Sequence, residues 1–379
     1  MQKSLLFLFA AVLLVTPVLT QAQEETSLEA IEPSVSVPDQ FFRGRVIEIV
    51  DEGENEAGGY TSFFQEVKVE LQSGAEKGQS INIRDEGVAG LTRSQRLQLG
   101  DELVIGKFDN AGEIQYYVAD RFRLPVSAAI LGLFFVAAVV FGSWRGLRSV
   151  LGLAVSILIL ALFIVPQMLE GRDPILITVI GTACIALLSI FLSHGFHRRT
   201  AIAFSSTIGI LGLAAALAYA FVIWGKLFGL GSEEAFYVQV FPGADINLRG
   251  LLLSGIIIGT LGVLDDVTTS QAAAVEEISL ANPQLGVKEL YSRGLRVGRE
   301  HIAALVNTLA LAYAGASLPL FLLFSLADAQ PLWVVLNSEL VSEEVIRTLV
   351  GSLALILAVP LTTYLAARFL KKKEPEPVL

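Results

Sequence analysis

Two adjacent aspartates lie inside an apolar segment of this 379-residue chain. Asp265 and Asp266 follow the run GLLLSGIIIGTLGVL and precede Val267-Thr268-Thr269. A carboxylate at membrane depth costs about 2.5–3.5 kcal/mol, so such groups are usually housed by other helices or by a water-filled cavity. Two interpretations are open at this point: an ion or proton site, or a helix cap or snorkelling pair near the inner end of the helix.

Helical periodicity places the second aspartate on a face of small residues. At about 100° per residue, one stripe of the helix holds Gly255, Gly259, Gly262, Asp266 and Ser270. Asp265 and Thr269 point to a different side. Small residues let helices approach closely in lipid, so the glycines are predicted to form a packing seam, within the chain or between two copies.

A second polar group is expected at a similar depth. Asn307 and Thr308 interrupt the apolar run 303–326, where a buried amide needs a partner. We predict that Asp266, Asn307, Thr308 and Gln271 line one polar cavity open to the cytoplasm, while simple hydrogen bonding between helices is the alternative for Asn307. The candidate ion, proton or substrate site therefore comprises Asp265, Asp266, Thr269, Ser270, Gln271, Asn307 and Thr308.

The chemistry of these side chains restricts the ligand. Oxygen ligands suit sodium, magnesium, calcium or a proton relay and disfavour soft metals, so the bound monovalent or divalent cation is left open. No cofactor is expected. The chain lacks GxxxxGK[ST], HExxH and GxSxG motifs, and no nucleophile or metal triad is recognisable, so no enzyme is predicted.

The elements that would position these residues are those of a membrane protein. Hydrophobic residues make up 53% of the chain, and the mean hydropathy is +0.63. The apolar segments cover residues 126–141, 150–168, 175–193, 201–224, 251–267, 302–326 and 345–369. We predict an α-helical polytopic membrane domain of seven transmembrane helices at 125–370, followed by a cytoplasmic tail at 371–379.

The N-terminal third has a different character. Residues 1–22 combine Lys3, an apolar run and a small-residue site at Thr20-Gln21-Ala22, which predicts a signal peptide, with an uncleaved anchor as the alternative. Basic residues collect in the loops on one side of the apolar segments, which predicts a cytoplasmic C-terminus and an extracytoplasmic N-terminal domain.

That extracytoplasmic domain, residues 23–124, is predicted to be β-rich. Strand-like runs cover 42–50, 64–71, 79–83, 102–108 and 115–122, and turn signals fall at 51–53, 56–59, 73–74 and 109–112. Five short strands favour a small OB- or SH3-like barrel. Its 20 acidic and 10 basic side chains argue against a nucleic acid partner.

Two sequence blocks resemble the YibE/F-like family of bacterial multipass membrane proteins. They are GTLGVLDDVTTSQAAAVEEI at 259–278 and GREHIAALVNTLALAYAGASLPLFL at 298–322, within a resemblance that covers roughly 124–370. The positions that match the family pattern are Asp266, Val267, Ser270, Asn307, Thr308, Tyr313, Leu318 and Pro319. His301 stands where an apolar residue is expected. The resemblance implies a protein of the bacterial plasma membrane for which transport is presumed.

Two functions are carried forward. The first is a cation- or proton-coupled transporter or exporter with its coupling site at the aspartates. The second is a non-transporting membrane scaffold or accessory subunit whose exterior domain binds an envelope partner. The expected partners are the lipid bilayer, an unidentified small solute or ion, and either a second copy of the chain or an envelope protein.

Overall fold

The computed structural model describes residues 40–57, 60–85, 95–110, 113–241, 246–326 and 331–371, and the chain divides into two compact units near residue 128. The signal peptide predicted at 1–22 and all of the predicted tail except Lys371 lie outside the described residues.

The first unit is a five-stranded antiparallel half-barrel. Its strands are β1 Gln40–Ala57, β2 Tyr60–Leu71, β3 Ser80–Asp85, β4 Glu102–Asn110 and β5 Glu113–Arg121. They are hydrogen-bonded in the order β3-β2-β1-β4-β5, and the two edge strands β3 and β5 also contact each other. The five predicted strands are confirmed, whereas the OB- or SH3-like barrel stays a prediction.

Alternation along the strands builds the core of this unit. Val67, Val69 and Leu71 on β2 share one hydrophobic core with Leu103 and Ile105 on β4, and none of the five is more than 1% exposed. Successive side chains of a strand point to opposite faces, so every second residue of β2 is buried.

The turn predicted at residues 51–53 is wrong. β1 continues through it to Ala57, and Glu52 pairs with Gln65 of β2. A register shift between Ile49 and Asp51 marks a bulge, which bends a strand without ending it. The acidic and glycine-rich sequence at this point therefore signals a bulge and not a chain reversal.

The remainder of the described chain is helical. α1 Leu124–Ile159 continues through a π-helical segment, Leu160–Ile164, into α2 Val165–Leu169. The others are α3 Pro174–His194, α4 Arg198–Trp224, α5 Glu233–Val240, α6 Leu248–Ala281, α7 Val287–Ala316, α8 Leu318–Leu326, α9 Leu332–Leu336 and α10 Glu339–Phe369.

Five stretches among the described residues are long and apolar enough to cross a membrane. They are Leu124–Leu169, Pro174–His194, Arg198–Trp224, Leu248–Ala281 and Glu339–Phe369. The seven predicted spans are therefore not confirmed as a count.

Two differences account for the smaller number of spans. The first two predicted segments lie in the single 46-residue stretch, where Ser143 departs from helical geometry with φ 51° and ψ −139°. The sixth, 302–326, is divided between α7 and α8 at Ser317, just before Leu318-Pro319. Proline lacks an N–H and disfavours helical geometry in the residue before it, so the helix breaks there.

Helix α6 is the centre of the helical unit. It packs against α3, α4, α7 and α10. Its side chains Leu253, Ile256 and Leu264 lie in the hydrophobic core of the helical unit. These three side chains are at most 2% exposed, so α6 is held on several sides.

Candidate functional site

The two aspartates lie near the middle of α6. The helix begins where Asn247 Oδ1 accepts the Gly250 N–H at 3.1 Å, and it continues to Ala281, well beyond the apolar segment predicted at 251–267. At 1.5 Å per residue, Asp265 lies about 25 Å from the first residue of the helix. Backbone N–H groups in mid-helix are already bonded within the helix, so neither aspartate is a helix cap.

Asp265 joins α6 to α3. Its Oδ2 accepts a hydrogen bond from the Ser189 hydroxyl at 3.1 Å, and within the described chain its buried Oδ1 has no hydrogen-bond partner. Gly152 of α1 lies beside this pair, because a Cβ at that position would be 2.9 Å from Ser193 Oγ and 3.4 Å from Ser189 Oγ. Three helices therefore meet around the Ser189 hydroxyl, which bonds the Asp265 carboxylate.

Asp266 instead opens into a cavity of about 160 Å³. The end of α3 and the start of α4 supply the facing wall. The lining residues are His194, Arg199, Thr200, Ala203, Asp266, Thr269, Ser270 and Ala273. The structure thus brings together three of the predicted site residues, Asp266, Thr269 and Ser270, with Asp265 next to them.

The two hydroxyls of this group are anchored to the helix backbone. Thr269 Oγ1 donates to the Asp265 carbonyl at 2.8 Å, and Ser270 Oγ donates to the Val267 carbonyl at 3.2 Å. Because each hydroxyl donates its hydrogen bond to the backbone, its oxygen lone pairs remain available to a ligand. The cavity wall therefore offers oxygen acceptors beside a carboxylate.

Two arginines lie near the site, and one of them, Arg199, lines the cavity with Asp266. Arg199 Nη1 is 3.0 Å from Oε2 of Glu276, and Arg148 Nε donates to the Leu192 carbonyl at 2.8 Å. The electrostatic interactions of His194 include Asp265 and Asp266 as well as both arginines. The site is thus a mixed-charge cluster and not a purely acidic one.

Sequence reasoning did not identify Ser189, His194 or Arg199 as members of this site. A weak signal was available, since Ser189 and Ser193 lie four residues apart on an apolar helix that ends in His194. Only the fold places that helix end against α6.

Three predicted site residues lie elsewhere. Gln271 is 2% exposed, and its Nε2 donates to the Gly294 carbonyl at 2.9 Å and to Thr363 Oγ1 at 2.7 Å, which ties α6 to α7 and α10. Asn307 and Thr308 lie on an exposed side of α7, where Thr308 Oγ1 donates to the Ala304 carbonyl at 3.0 Å. The single cavity shared with Asp266 is therefore not formed in this structure.

The glycine stripe faces away from most of the helical unit. A Cβ added at Gly255 or Gly262 would meet no atom within 4 Å, and one at Gly259 would lie 3.5 Å from Tyr313 Oη. Close helix packing within the described chain occurs instead at Gly294 and Gly298 of α7. A seam between two copies stays a prediction.

No three His, Cys, Asp or Glu side chains in the described ranges come together in a way that could hold a metal ion. The acidic pair with its neighbouring hydroxyls can exchange a proton with the cavity, or contribute part of the coordination of a hard cation.

A second pair of carboxylates lies at the other end of the bundle. Glu343 of α10 is 5% exposed and accepts the Gly231 N–H at 3.1 Å, and Glu339 accepts the N–H groups of Phe228, Gly229 and Leu230. These carboxylates are occupied by backbone donors, so they anchor the loop that follows α4.

Long apolar helices that house carboxylates at their mutual contacts define a polytopic membrane protein. The model of the YibE/F-like protein family matches residues 130–372, so the chain belongs to the YibE/F-like family and the resemblance is confirmed. No curated protein and no solved structure matches the chain.

Proposed function

We propose that this YibE/F-like protein is a cation- or proton-coupled transporter of the bacterial plasma membrane, with Asp265 and Asp266 as its coupling site. One observation carries the proposal. Asp266 lines an accessible cavity, while its neighbour Asp265 is hydrogen-bonded at a contact between α3 and α6. An ion that enters the cavity meets Asp266, the neighbour of Asp265 on the same helix.

The coupling step follows from the Ser189 contact. Protonation or cation binding at Asp265 changes how well its carboxylate accepts the hydroxyl proton of Ser189, and that bond joins two helices. A ligand shifts a conformational equilibrium only by as much as its affinities for the two states differ. The α3–α6 contact supplies such a difference.

The orientation of the proposal rests on the distribution of basic residues. Positively charged loops stay in the cytoplasm, so the N-terminal β domain is extracytoplasmic and the C-terminus is cytoplasmic in this proposal. The cavity at Asp266 then opens toward the cytoplasmic half of the bundle, since Arg199, at the basic start of α4, lines it. No enzymatic activity is part of the proposal.

Thermal unfolding of the detergent-purified chain tests the proposal. Wild type, Asp265→Asn and Asp266→Asn are compared across sodium, potassium, magnesium, calcium and a pH series, with Glu277→Gln as the matched control on the same helix. A ligand at about 100 times its dissociation constant stabilises the folded state by about 2.7 kcal/mol. One ion or pH step should stabilise wild type and Glu277→Gln but neither aspartate variant. Equal responses from all four proteins would refute the coupling site.

The second candidate is a non-transporting scaffold or accessory subunit whose exterior domain binds an envelope partner. One observation favours it, since β1 exposes the apolar side chains Phe41, Ile47, Ile49 and Val50. Exposed apolar patches mark interaction surfaces. If the aspartate variants respond to ions as wild type does, this becomes the better proposal, and polar substitution of Ile47 and Ile49 should then release the partner in a pull-down.

A further inference from the structure

A second and larger cavity, of about 1070 Å³, lies where the ends of four helices meet. These are the start of α4, the end of α6, the start of α7 and the end of α10. Three of the four helices, α4, α6 and α10, belong to the stretches that can cross a membrane. When they do, this cavity lies at one surface of the bilayer.

The polar wall of this cavity is cationic. Arg198, Arg368 and Lys371 line it beside His197, and within the described chain none of the three cations forms an ion pair. The carboxylate of Glu276 also lines it, but Arg199 neutralises that group at 3.0 Å. The cavity therefore has an excess of positive charge, because Glu276 is the only carboxylate among its described lining residues and is already paired with Arg199.

The other wall is apolar. Leu280 and Phe369 line it and are 47% and 63% exposed, which puts hydrocarbon next to the cations. The floor is fixed, because Ser279 Oγ donates to the Leu370 carbonyl at 3.4 Å and Val275 packs with Ala366 below it. A ligand with an anionic head and an apolar tail complements both walls.

We propose that this cavity binds the phosphate headgroup of an anionic phospholipid, with Leu280 and Phe369 against its acyl chains. Basic pockets between helix ends at a membrane surface recognise such headgroups. The volume favours a headgroup with its glycerol backbone over a bare phosphate ion, because binding cavities for organic ligands measure about 300–1,000 Å³. This inference is independent of whether the chain transports anything.

Native mass spectrometry and thermal unfolding of the purified full chain test the proposal. The probes are phosphatidylglycerol, cardiolipin, phosphatidylcholine and inorganic phosphate. The variant is the double change Arg198→Gln with Arg368→Gln. The control is Arg293→Gln with Arg296→Gln on the exposed side of α7, which removes the same charge outside the cavity.

Anionic lipids should remain bound to wild type and to the control, and should raise their Tm more than phosphatidylcholine does. The cavity variant should bind them roughly tenfold or more weakly. If phosphatidylcholine binds as tightly as the anionic lipids, or if the cavity variant keeps wild-type affinity for anionic lipids, the proposal is wrong. If inorganic phosphate alone gives the full stabilisation, the cavity is a phosphate site and not a lipid site. Should the double variant fail to fold, Lys371→Gln replaces it. The same lipid panel is then compared between Lys371→Gln and wild type, with the same outcomes for and against the proposal.

Discussion

The Asp265 carboxylate and the Ser189 hydroxyl are 3.1 Å apart, and their hydrogen bond joins α3 to the middle of α6. It is the contact through which a change at the candidate site would reach a neighbouring helix. Gly152 of α1 lies close to the same serine, so a movement of α3 at this point would also change its packing against α1.

Ser189→Ala should destabilise the protein and alter its response to ions. Hydrogen bonds between membrane helices contribute about 0.6 kcal/mol on average and up to about 1.7 kcal/mol, and the loss should fall in this range because Asp265 Oδ2 loses its donor. Ser156→Ala is the control, since that hydroxyl donates to Gly152 within its own helix. Thermal unfolding in detergent measures both. Equal stability of the two variants would show that the Ser189 bond contributes nothing.

Gln271→Met should destabilise the protein by about 1–3 kcal/mol without changing its response to ions. The substitution keeps the volume but removes two buried hydrogen bonds, those from Gln271 Nε2 to the Gly294 carbonyl and to Thr363 Oγ1. A double-mutant cycle with Thr363→Val should give a coupling of about 0.5–3 kcal/mol. If Gln271→Met abolished the ion response instead, Gln271 would belong to the coupling site after all.

Gly298→Ala and Gly262→Ala should have opposite effects on stability. A Cβ at Gly298 would overlap Cγ1 of Val359, and overpacking typically costs about 1–3 kcal/mol, whereas a Cβ at Gly262 meets nothing within 4 Å. Alanine at Gly262 should therefore stabilise α6 by up to about 1 kcal/mol through helix propensity. Thermal unfolding of monomer separated by size-exclusion chromatography measures both. Weaker self-association of Gly262→Ala would show that the stripe packs between copies.

Local sequence predicts the elements of this protein better than their contacts. The strands and apolar segments follow from alternation and hydropathy, which are local. The pair Ser189 and Asp265 is separated by 76 positions, and no local pattern specifies it. Hydropathy alone ends the apolar segment of α6 at Val267, whereas polar residues beyond it, including Thr268 and Gln271, are buried and hydrogen-bonded to other helices.

Grouping the polar residues by depth alone put residues into one cavity that the structure keeps apart. Depth along two helices brought Asp266 and Asn307 to one level, but whether two side chains meet also depends on how each helix is rotated. The structure turns Asn307 outward and puts His194 opposite Asp266. Rotation is set by packing against helices distant in sequence, so it could not be derived from either segment alone.

Glu76→Gln in the exterior domain should lower stability at neutral pH, with a smaller effect in acid. Hydrogen bonds from Lys107 at 2.5 Å and Tyr116 at 2.6 Å hold the pKa of Glu76 below its usual value of 4.5. A carboxyl group whose pKa is lower in the folded than in the unfolded state stabilises the fold at pH values above its unfolded pKa. This stabilisation is lost as the pH falls through the folded pKa. The loss should be about 1 kcal/mol or less, because surface ion pairs are screened by water.

Hydrogen exchange of the amides of β4 and β5, measured across pH in the full chain, checks this expectation for Glu76. Glu48→Gln is the control, since Glu48 is exposed and lies 3.8 Å from Lys68. The difference between wild type and Glu76→Gln should shrink as pH falls below about 4.5, the usual value for glutamate. A difference that grew toward acid pH would reverse the assigned sign.

Glu343→Ala should destabilise the protein by about 1–3 kcal/mol more than Glu344→Ala at the next position. Glu343 is buried and accepts the Gly231 N–H at 3.1 Å, so its removal leaves that amide unpaired, whereas Glu344 forms a partly exposed pair with Arg347 at 3.3 Å. Gly231→Ala should also lower stability, because a Cβ there would lie 2.7 Å from Oε2 of Glu343 and would disturb the same contact. Unfolding in detergent compares the three variants. Equal stability of Glu343→Ala and Glu344→Ala would show that the loop after α4 is held by other contacts, such as the one from Arg249 Nε to the Leu227 carbonyl at 2.8 Å.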